Sequence, residues 1–198
     1  MKIISKIAMV ALVLSLSACS IFNISKMDAG EHLLGERLQV KVPSAWNHID
    51  SHFVHGPNAQ LWTKEGMAID EMMFYTGVKD GEKIHPNNLA SAKVPDFVFG
   101  STMQPEQIAA MFEGMLARDG STFKLVRLSP APFAGVKGFR IEYSLIRKSN
   151  NVELNGIIAG AVDKGQLYAI LYQAPRLEFF PRQQIQVMQI IGSARLKN

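Results

Sequence analysis

Cysteine is nearly absent from this chain of 198 residues, which contains only Cys19. A single thiol cannot form a disulfide within the chain. If Cys19 itself is modified, no thiol is left for disulfides, thiolate catalysis or metal binding. Stability must then come from an ordinary hydrophobic core, and the hydrophobic content of 47% is ample for one.

Blocks of basic residues are also missing. The formal net charge is +4, and part of this excess comes from Lys2 and Lys6 at the start of the chain. Proteins that bind nucleic acids normally concentrate Lys and Arg on one face or in one segment. The sequence therefore predicts no nucleic-acid partner.

Motifs of the common enzyme classes are absent as well. The sequence has no G-x-S-x-G elbow, no H-E-x-x-H zinc motif, no P-loop and no dinucleotide fingerprint. A Ser-His-Asp site assembled from distant elements stays open, because triads are defined by geometry and not by order along the chain. We predict that the protein is not an enzyme and that it holds no cofactor.

The first apolar run, residues 7–16, is much shorter than the roughly 20 residues that a transmembrane helix needs. It follows two lysines and ends in the small residues Ser17 and Ala18. A basic start, a short apolar run and small residues are the three parts of a secretory signal peptide. Residues 1–18 are therefore predicted to be removed from the mature protein.

The segment Leu-Ser-Ala-Cys at residues 16–19 resembles the lipobox of bacterial lipoproteins. The resemblance implies that Cys19 carries diacylglycerol and that acyl chains such as palmitate anchor the protein; a plain secreted protein is the alternative. Ser20, in place of an inner-membrane-retaining Asp, implies the periplasmic face of the outer membrane. Residues 19–35 are predicted to be a lipidated N-terminus and a flexible tether of about 20–25 Å.

Residues 36–198 are predicted to form a single α+β domain. Alternating apolar and polar residues, bounded by Gly, Pro, Asn or Asp, indicate strands joined by short turns. Together the strands predict an antiparallel β-sheet of about six strands. The predicted extended segments are residues 36–43, 60–63, 68–78, 122–128, 138–147, 153–162 and 166–173.

Two segments have the periodicity of amphipathic helices. In residues 105–118, apolar side chains recur at i, i+3, i+4, i+7 and i+8 from Ile108, with Pro105 at the start and Gly120 after the end. Residues 176–191 carry a second apolar stripe. Both helices are expected to flank the sheet and pack their apolar faces on it.

Four segments of the domain match the pattern of a known family. They are Val-Pro-Ser-Ala-Trp at 42–46, Gly-Phe-Arg-Ile-Glu-Tyr at 138–143, Gly-Gln-Leu-Tyr at 165–168 and Ile-Gly-Ser-Ala-Arg-Leu at 191–196. In this order along the chain they resemble the PsbP/Mog1-like domains. The resemblance implies the α+β fold of that family. Because known members are accessory or binding proteins in unrelated systems, it also implies a non-enzymatic module.

A cluster of polar residues at His48, Asp50 and His52, with His55 close behind, is a candidate metal site. In an extended strand the first three side chains point to one face at spacings of about 6.6 Å. Imidazole and carboxylate ligands suit zinc or another borderline divalent metal. The other interpretation is a solvated loop after Trp46.

The segment 82–101 is the longest predicted loop, and it carries Phe97 and Phe99. Apolar side chains exposed on a loop indicate a binding surface, so both are candidates for contacts with a protein partner. Burial in the core is the alternative. The methionines are expected to fill the core, although some of them leave room for a groove that accepts a flexible apolar ligand.

Two functions follow from these features. The first is an outer-membrane-anchored lipoprotein that acts as an accessory module by binding another protein of the cell envelope, through the 82–101 loop. The second is a carrier of a small ligand or a metal, held in an apolar cleft between sheet and helix or in the 48–55 stretch. The two functions differ in whether a protein or a small molecule is bound.

Overall fold

The computed structural model describes residues 23–50, 56, 58–85 and 96–198. Within these ranges the chain forms eleven strands in two sheets, together with two helices. In chain order the elements are β1 (Asn23–Met27), β2 (Gly30–Leu34), β3 (Leu38–Val42), β4 (Trp46–Asp50), β5 (Ala59–Thr63), β6 (Glu71–Val78), α1 (Pro105–Ala117), β7 (Thr122–Phe133), β8 (Val136–Ile146), β9 (Glu153–Asp163), β10 (Gln166–Pro175), α2 (Phe179–Ser193) and β11 (Arg195–Leu196).

The larger sheet has eight strands in the order β1-β4-β5-β6-β10-β9-β8-β7, so the expected number of about six is too low. Every neighbouring pair in it is antiparallel, as predicted. Two-residue turns, Ala134-Gly135 and Lys164-Gly165, join β7 to β8 and β9 to β10. All four turn residues have positive φ, as type I′ hairpin turns require.

The start of the folded region differs from the prediction. The sequence predicts a flexible tether at residues 20–35, but β1 and β2 lie within that segment. β1 pairs with β4 at the edge of the larger sheet, and β2 pairs with β3 in a three-stranded sheet of order β11-β3-β2. The side chains of β1 are exposed on both faces except at Met27, so this edge strand lacks the alternation that identifies a strand.

Helix α1 packs on one face of the larger sheet. Ile108, Phe112 and Met115 are among its buried residues, and they join a core formed by side chains of β6, β8, β9 and β10. The helix predicted at residues 105–118 is confirmed. Gly120 follows it with a φ of +88°, a conformation that ends a helix at little cost.

Helix α2 and the three-stranded sheet cover the opposite face. Val187 and Ile190 of α2 are fully buried against side chains of β3, β6, β9 and β10. The sequence predicts that this helix begins at residue 176, but in the structure it begins at Phe179. Neither helix of the described ranges has the length and apolar character that crossing a bilayer requires.

Candidate functional site

A cavity of about 370 Å³ lies between the larger sheet and the C-terminal end of α1. Strands β6, β8 and β10 form its sheet side, and Met115 and Leu116 line its helix side. The turn between β5 and β6 contributes Met67 and Ala68, of which Ala68 is exposed at the rim. A cavity of this size is in the range that small molecules occupy in proteins.

One register row crosses the sheet at the floor of this cavity. Tyr143 on β8 pairs with Gly156 on β9, Gly156 pairs with Gln173 on β10, and Gln173 pairs with Glu71 on β6. Residues paired across strands point to the same face of a sheet. Glu71 and Gln173 therefore stand side by side in the cavity wall.

Because Gly156 has no side chain, Tyr143 can reach across β9 and join a chain of hydrogen bonds with Gln173 and Glu71. A Cβ atom at Gly156 would lie 2.0 Å from Cζ of Tyr143, so the tyrosine ring fills the space over the glycine. From there Tyr143 Oη donates to Gln173 Oε1 at 3.0 Å. Gln173 Nε2 in turn donates to Glu71 Oε2 at 2.8 Å. The row thus fixes the position of the Glu71 carboxyl group.

Charged groups surround the polar end of the cavity. Burial raises the pKa of Glu71, because apolar surroundings disfavour the charged carboxylate, while the hydrogen bond from Gln173 and the positive charges of Arg147 and Arg118 oppose this shift. Both arginines line the cavity, and Arg147 Nη1 donates to the carbonyl oxygen of Ala68 at 3.0 Å. Within the described ranges neither guanidinium forms an ion pair with a carboxylate.

The rest of the cavity wall is apolar. Met67, Met73 and Met115 line it together with leucines of β5, β8 and β10. Tyr75 Oη lies 3.8 Å from Met115 Sδ and is buried beneath the helix. Because methionine side chains are flexible and polarizable, this wall can adapt to apolar groups of different shape.

The two phenylalanines predicted to contact a partner are placed differently. Phe99 is fully buried in the core beneath α1, so its prediction as an exposed contact is wrong. Phe97 is half-buried, and its ring occupies the space where a Cβ of Gly114 would stand, 2.4 Å from Phe97 Cε1. Phe97 packs against α1 because Gly114 has no side chain, which leaves a gap on the helix surface that the phenylalanine ring fills. Only Val98 between them is exposed, by 36%.

The candidate metal site falls partly outside the described residues. His48 and Asp50 lie on β4, and His48 Nδ1 is 3.5 Å from Ser25 Oγ on β1. His52 and His55 are not among the described residues, and the same holds for the lipidation site Cys19. In the described part of the chain no three His, Cys, Asp or Glu side chains are grouped as metal ligands. The metal site therefore stays a prediction.

Sequence reasoning missed the polar row. Gln173 carried a usable signal, because it is the one strongly polar residue between Leu167 and Ala174, a strand that is otherwise buried. A buried polar side chain needs hydrogen-bond partners, which points to other polar groups nearby. Its partners Tyr143 and Glu71 come from separate strands and had no such signal.

Comparison with known proteins identifies the fold. No family model and no curated protein sequence matches the chain. Among solved structures it is similar to the cyanobacterial PsbP (CyanoP) from Synechocystis sp. PCC 6803, with a TM-score of 0.57 and 9% identity over 91% of this chain and 96% of that chain. LpqN, involved in cell envelope biogenesis of Mycobacterium tuberculosis, matches with a TM-score of 0.40 and 12% identity over 89% and 92%. The likeness to CyanoP confirms the PsbP-like fold.

Proposed function

We propose that this chain is a non-enzymatic binding lipoprotein of the cell envelope, anchored through Cys19 to the periplasmic face of the outer membrane. Its cavity between α1 and the larger sheet binds a small molecule that has an apolar body and an anionic group. The observation that carries this proposal is one cavity that combines methionine and leucine walls with two arginines free of ion pairs within the described ranges.

The apolar body of the ligand fits the wall formed by Met67, Met73 and Met115. Binding sites for small molecules are mostly apolar, with a few polar groups that fix the orientation of the ligand. Here Glu71 and Gln173 lie beside the two arginines, and His85 and Asp119 also line the cavity. The ligand is oriented with its polar group toward Arg118 and Arg147.

The anionic group follows from the balance of charge. Arg118 and Arg147 are permanently positive. The cavity lining has two carboxyl groups, Glu71 and Asp119; Asp119 accepts a hydrogen bond from Ser121 N at 2.8 Å and, within the described ranges, forms no ion pair with either arginine. Burial favours the neutral form of Glu71, which weakens its competition for the two guanidinium groups. A ligand carboxylate, sulfonate or phosphate supplies the missing negative charge and pairs well with the planar guanidinium.

We favour small-molecule binding over the other hypothesis, in which residues 82–101 bind a partner protein. That docking hypothesis depends on exposed rings at Phe97 and Phe99. Phe99 is buried and Phe97 packs on α1 at Gly114. Both rings hold the segment on the helix, which favours a structural role for them.

Binding of anilinonaphthalene sulfonate, a fluorescent probe with an apolar body and a permanent negative charge, tests the proposal through Glu71. The probe should bind the unlipidated Cys19→Ser form more tightly as the pH falls, because protonated Glu71 no longer repels the sulfonate. Since burial raises the pKa of Glu71, this change should lie above about pH 4.3, the ordinary value for glutamate. In Glu71→Gln the tight binding should persist to neutral pH.

Glu106→Gln is the matched control, because Glu106 is exposed in the first turn of α1 and does not line the cavity. This variant should keep the pH dependence of the unsubstituted protein. Absence of probe binding at every pH, or a pH dependence that Glu71→Gln leaves unchanged, contradicts an anion site at this cavity.

A further inference from the structure

Strand β7 forms one edge of the larger sheet. It is the last strand in the sheet order, and within the described ranges β8 is its one strand partner. Thr122 and residues 124–127 are exposed, with Leu125 at 45% and Val126 at 61%. The backbone N–H and C=O groups on the outer side of an exposed edge strand can pair with another chain unless the edge is protected.

Prolines protect one half of this edge. Pro130 and Pro132 pair with Phe139 and Lys137 of β8, close to the turn that joins the two strands. Proline has no backbone N–H, so in a paired strand it fits where the N–H would face away from the partner strand. The outer edge of β7 therefore has no N–H donor at these two positions, and an added strand is disfavoured there.

The other half of the edge, residues 122–128, contains no proline. Along β8, every second residue beyond those opposite the prolines belongs to the same class of pair, in which the β7 N–H points outward. The β7 partners of these residues are Leu128, Leu125 and Phe123, because Val126 is an extra residue in the register. Three outward N–H donors are thus available for another strand.

The two faces of this open half differ in chemistry. On the α1 face, Phe123 and Leu128 pack at the margin of the core, while Leu125 is half-exposed beside them. On the opposite face Lys124 and Arg127 are exposed, and neither forms an ion pair within the described ranges. An added strand therefore meets apolar side chains on one face and basic side chains on the other.

The charge of this edge indicates which strand it accepts. Between Asp119 and Glu142 the sequence has four basic side chains and no acidic one. Glu142 stands opposite Arg127 in the register, but its carboxylate forms an ion pair with Arg140 at 3.0 Å. Like charges on neighbouring strands are destabilising, which disfavours pairing with the β7 edge of a second copy of this chain. An acidic strand complements the edge.

We propose that residues 122–128 bind an extended segment of a partner protein as an additional strand of the larger sheet. Apolar residues of the segment alternate with acidic ones. The apolar side chains pack beside Leu125 on the α1 face, and the acidic ones pair with Lys124 and Arg127 on the other face. The three outward N–H groups donate to its backbone. This binding uses the sheet edge and is separate from the ligand cavity.

Amide hydrogen exchange tests the strand pairing. The probe is a short capped peptide of alternating valine and glutamate, added to the unlipidated Cys19→Ser protein. At saturation, the amide hydrogens of Phe123, Leu125 and Leu128 should exchange at least about tenfold more slowly, because each gains a hydrogen bond. The amides of Lys124 and Arg127 already face β8 and should change little.

Two substitutions separate charge from backbone pairing. Lys124→Glu should weaken binding of the peptide by at least about tenfold. Lys137→Glu is the matched control, because Lys137 is exposed on the same hairpin opposite Pro132, and it should keep the affinity. Leu125→Pro removes one outward N–H without a change of charge and should abolish binding, with the thermal midpoint reporting whether the fold is intact.

Three results would overturn this proposal. They are no binding of the peptide, binding without slower exchange at Leu125, and a dimer of the free protein in which these same amides are protected. Ala68→Trp, at the rim of the ligand cavity, should bind the peptide as the unsubstituted protein does. Loss of peptide binding in that variant would place the peptide in the cavity and contradict the edge site, whereas the cavity is tested by its own probe.

Discussion

Replacing Asp70 by alanine should lower the free energy of unfolding by about 3–5 kcal/mol, because the change leaves several hydrogen-bond donors without an acceptor. Asp70 is fully buried, and its carboxylate accepts hydrogen bonds from Thr63 Oγ1 at 2.7 Å, Lys64 N at 2.9 Å and Glu65 N at 2.7 Å. Chemical denaturation with a two-state fit measures the loss.

The same carboxylate shapes the rim of the cavity. Residues 64–70 form the turn between β5 and β6, and Met67 and Ala68 in that turn line the cavity. Without the Asp70 carboxylate, the backbone N–H groups of Lys64 and Glu65 lose their hydrogen-bond acceptor, and the turn is no longer held in place. Probe binding should therefore weaken in Asp70→Ala even under conditions where the domain remains folded.

Two variants control this prediction. Asp28→Ala removes a carboxylate that is 74% exposed and paired only with exposed Lys26 among the described residues, so its effect should stay within about 0.5 kcal/mol. Asp70→Asn keeps one side-chain oxygen as an acceptor and should lose less stability than Asp70→Ala. An Asp70→Ala protein as stable as Asp28→Ala would show that solvent replaces all of these hydrogen bonds.

Ala68→Trp should weaken binding of anilinonaphthalene sulfonate by at least about tenfold, equivalent to about 1.4 kcal/mol. Ala68 is exposed at the cavity rim, and Arg147 holds its carbonyl oxygen. An indole at this position blocks entry to the cavity, whereas the exposed site spares the core from overpacking. Titration of the probe fluorescence gives the affinity, and the thermal midpoint shows whether the fold is intact.

Ala110→Trp provides the comparison for this substitution. Ala110 is exposed on α1, away from the cavity lining, so the same change of side chain there should leave the affinity for the probe unchanged. Equal affinities in the two variants would mean that the probe binds elsewhere on the protein.

The elements that could be predicted from sequence are those with a strong local signal. Helix α1 has an apolar stripe of helical period between Pro105 and Gly120, and packing confirms that stripe as its buried face. The long strands β9 and β10 are joined by the two-residue turn Lys164-Gly165, and the sequence Asp163-Lys164-Gly165 is typical of such a hairpin. In both cases neighbours in the sequence contain the information.

Strand β1 could not be predicted for a physical reason. Ile24 and Lys26 are exposed on one face and Ser25 on the other, so the strand is held by its backbone pairing to β4 and not by an apolar face.

The burial of Phe99 could not be predicted from sequence either. The residues next to Phe99 in the sequence predict a loop. In the structure, Phe99 N donates to the carbonyl oxygen of Glu82 at 2.8 Å, and the ring is packed in the core.

The polar row of the candidate site depends on register between distant strands. Glu71 and Gln173 are 102 residues apart, and Tyr143 reaches Gln173 only because Gly156 lacks a side chain. A shift of one residue in any of these pairings would turn the partner to the other face of the sheet. Single-sequence patterns do not fix such a register, so the hydrogen-bonded row emerges only in the folded structure.

Methionine methyl resonances test the central claim, binding in the cavity, most directly. Met72 and Met73 are consecutive on β6 and face opposite sides: Met73 lines the cavity, whereas Met72 is buried in the core beneath α2. On titration with anilinonaphthalene sulfonate, the methyl signals of Met67, Met73 and Met115 should shift while that of Met72 stays in place. Bound probe with an unmoved Met73 signal, or equal shifts at Met72 and Met73, would contradict a ligand site between α1 and the sheet.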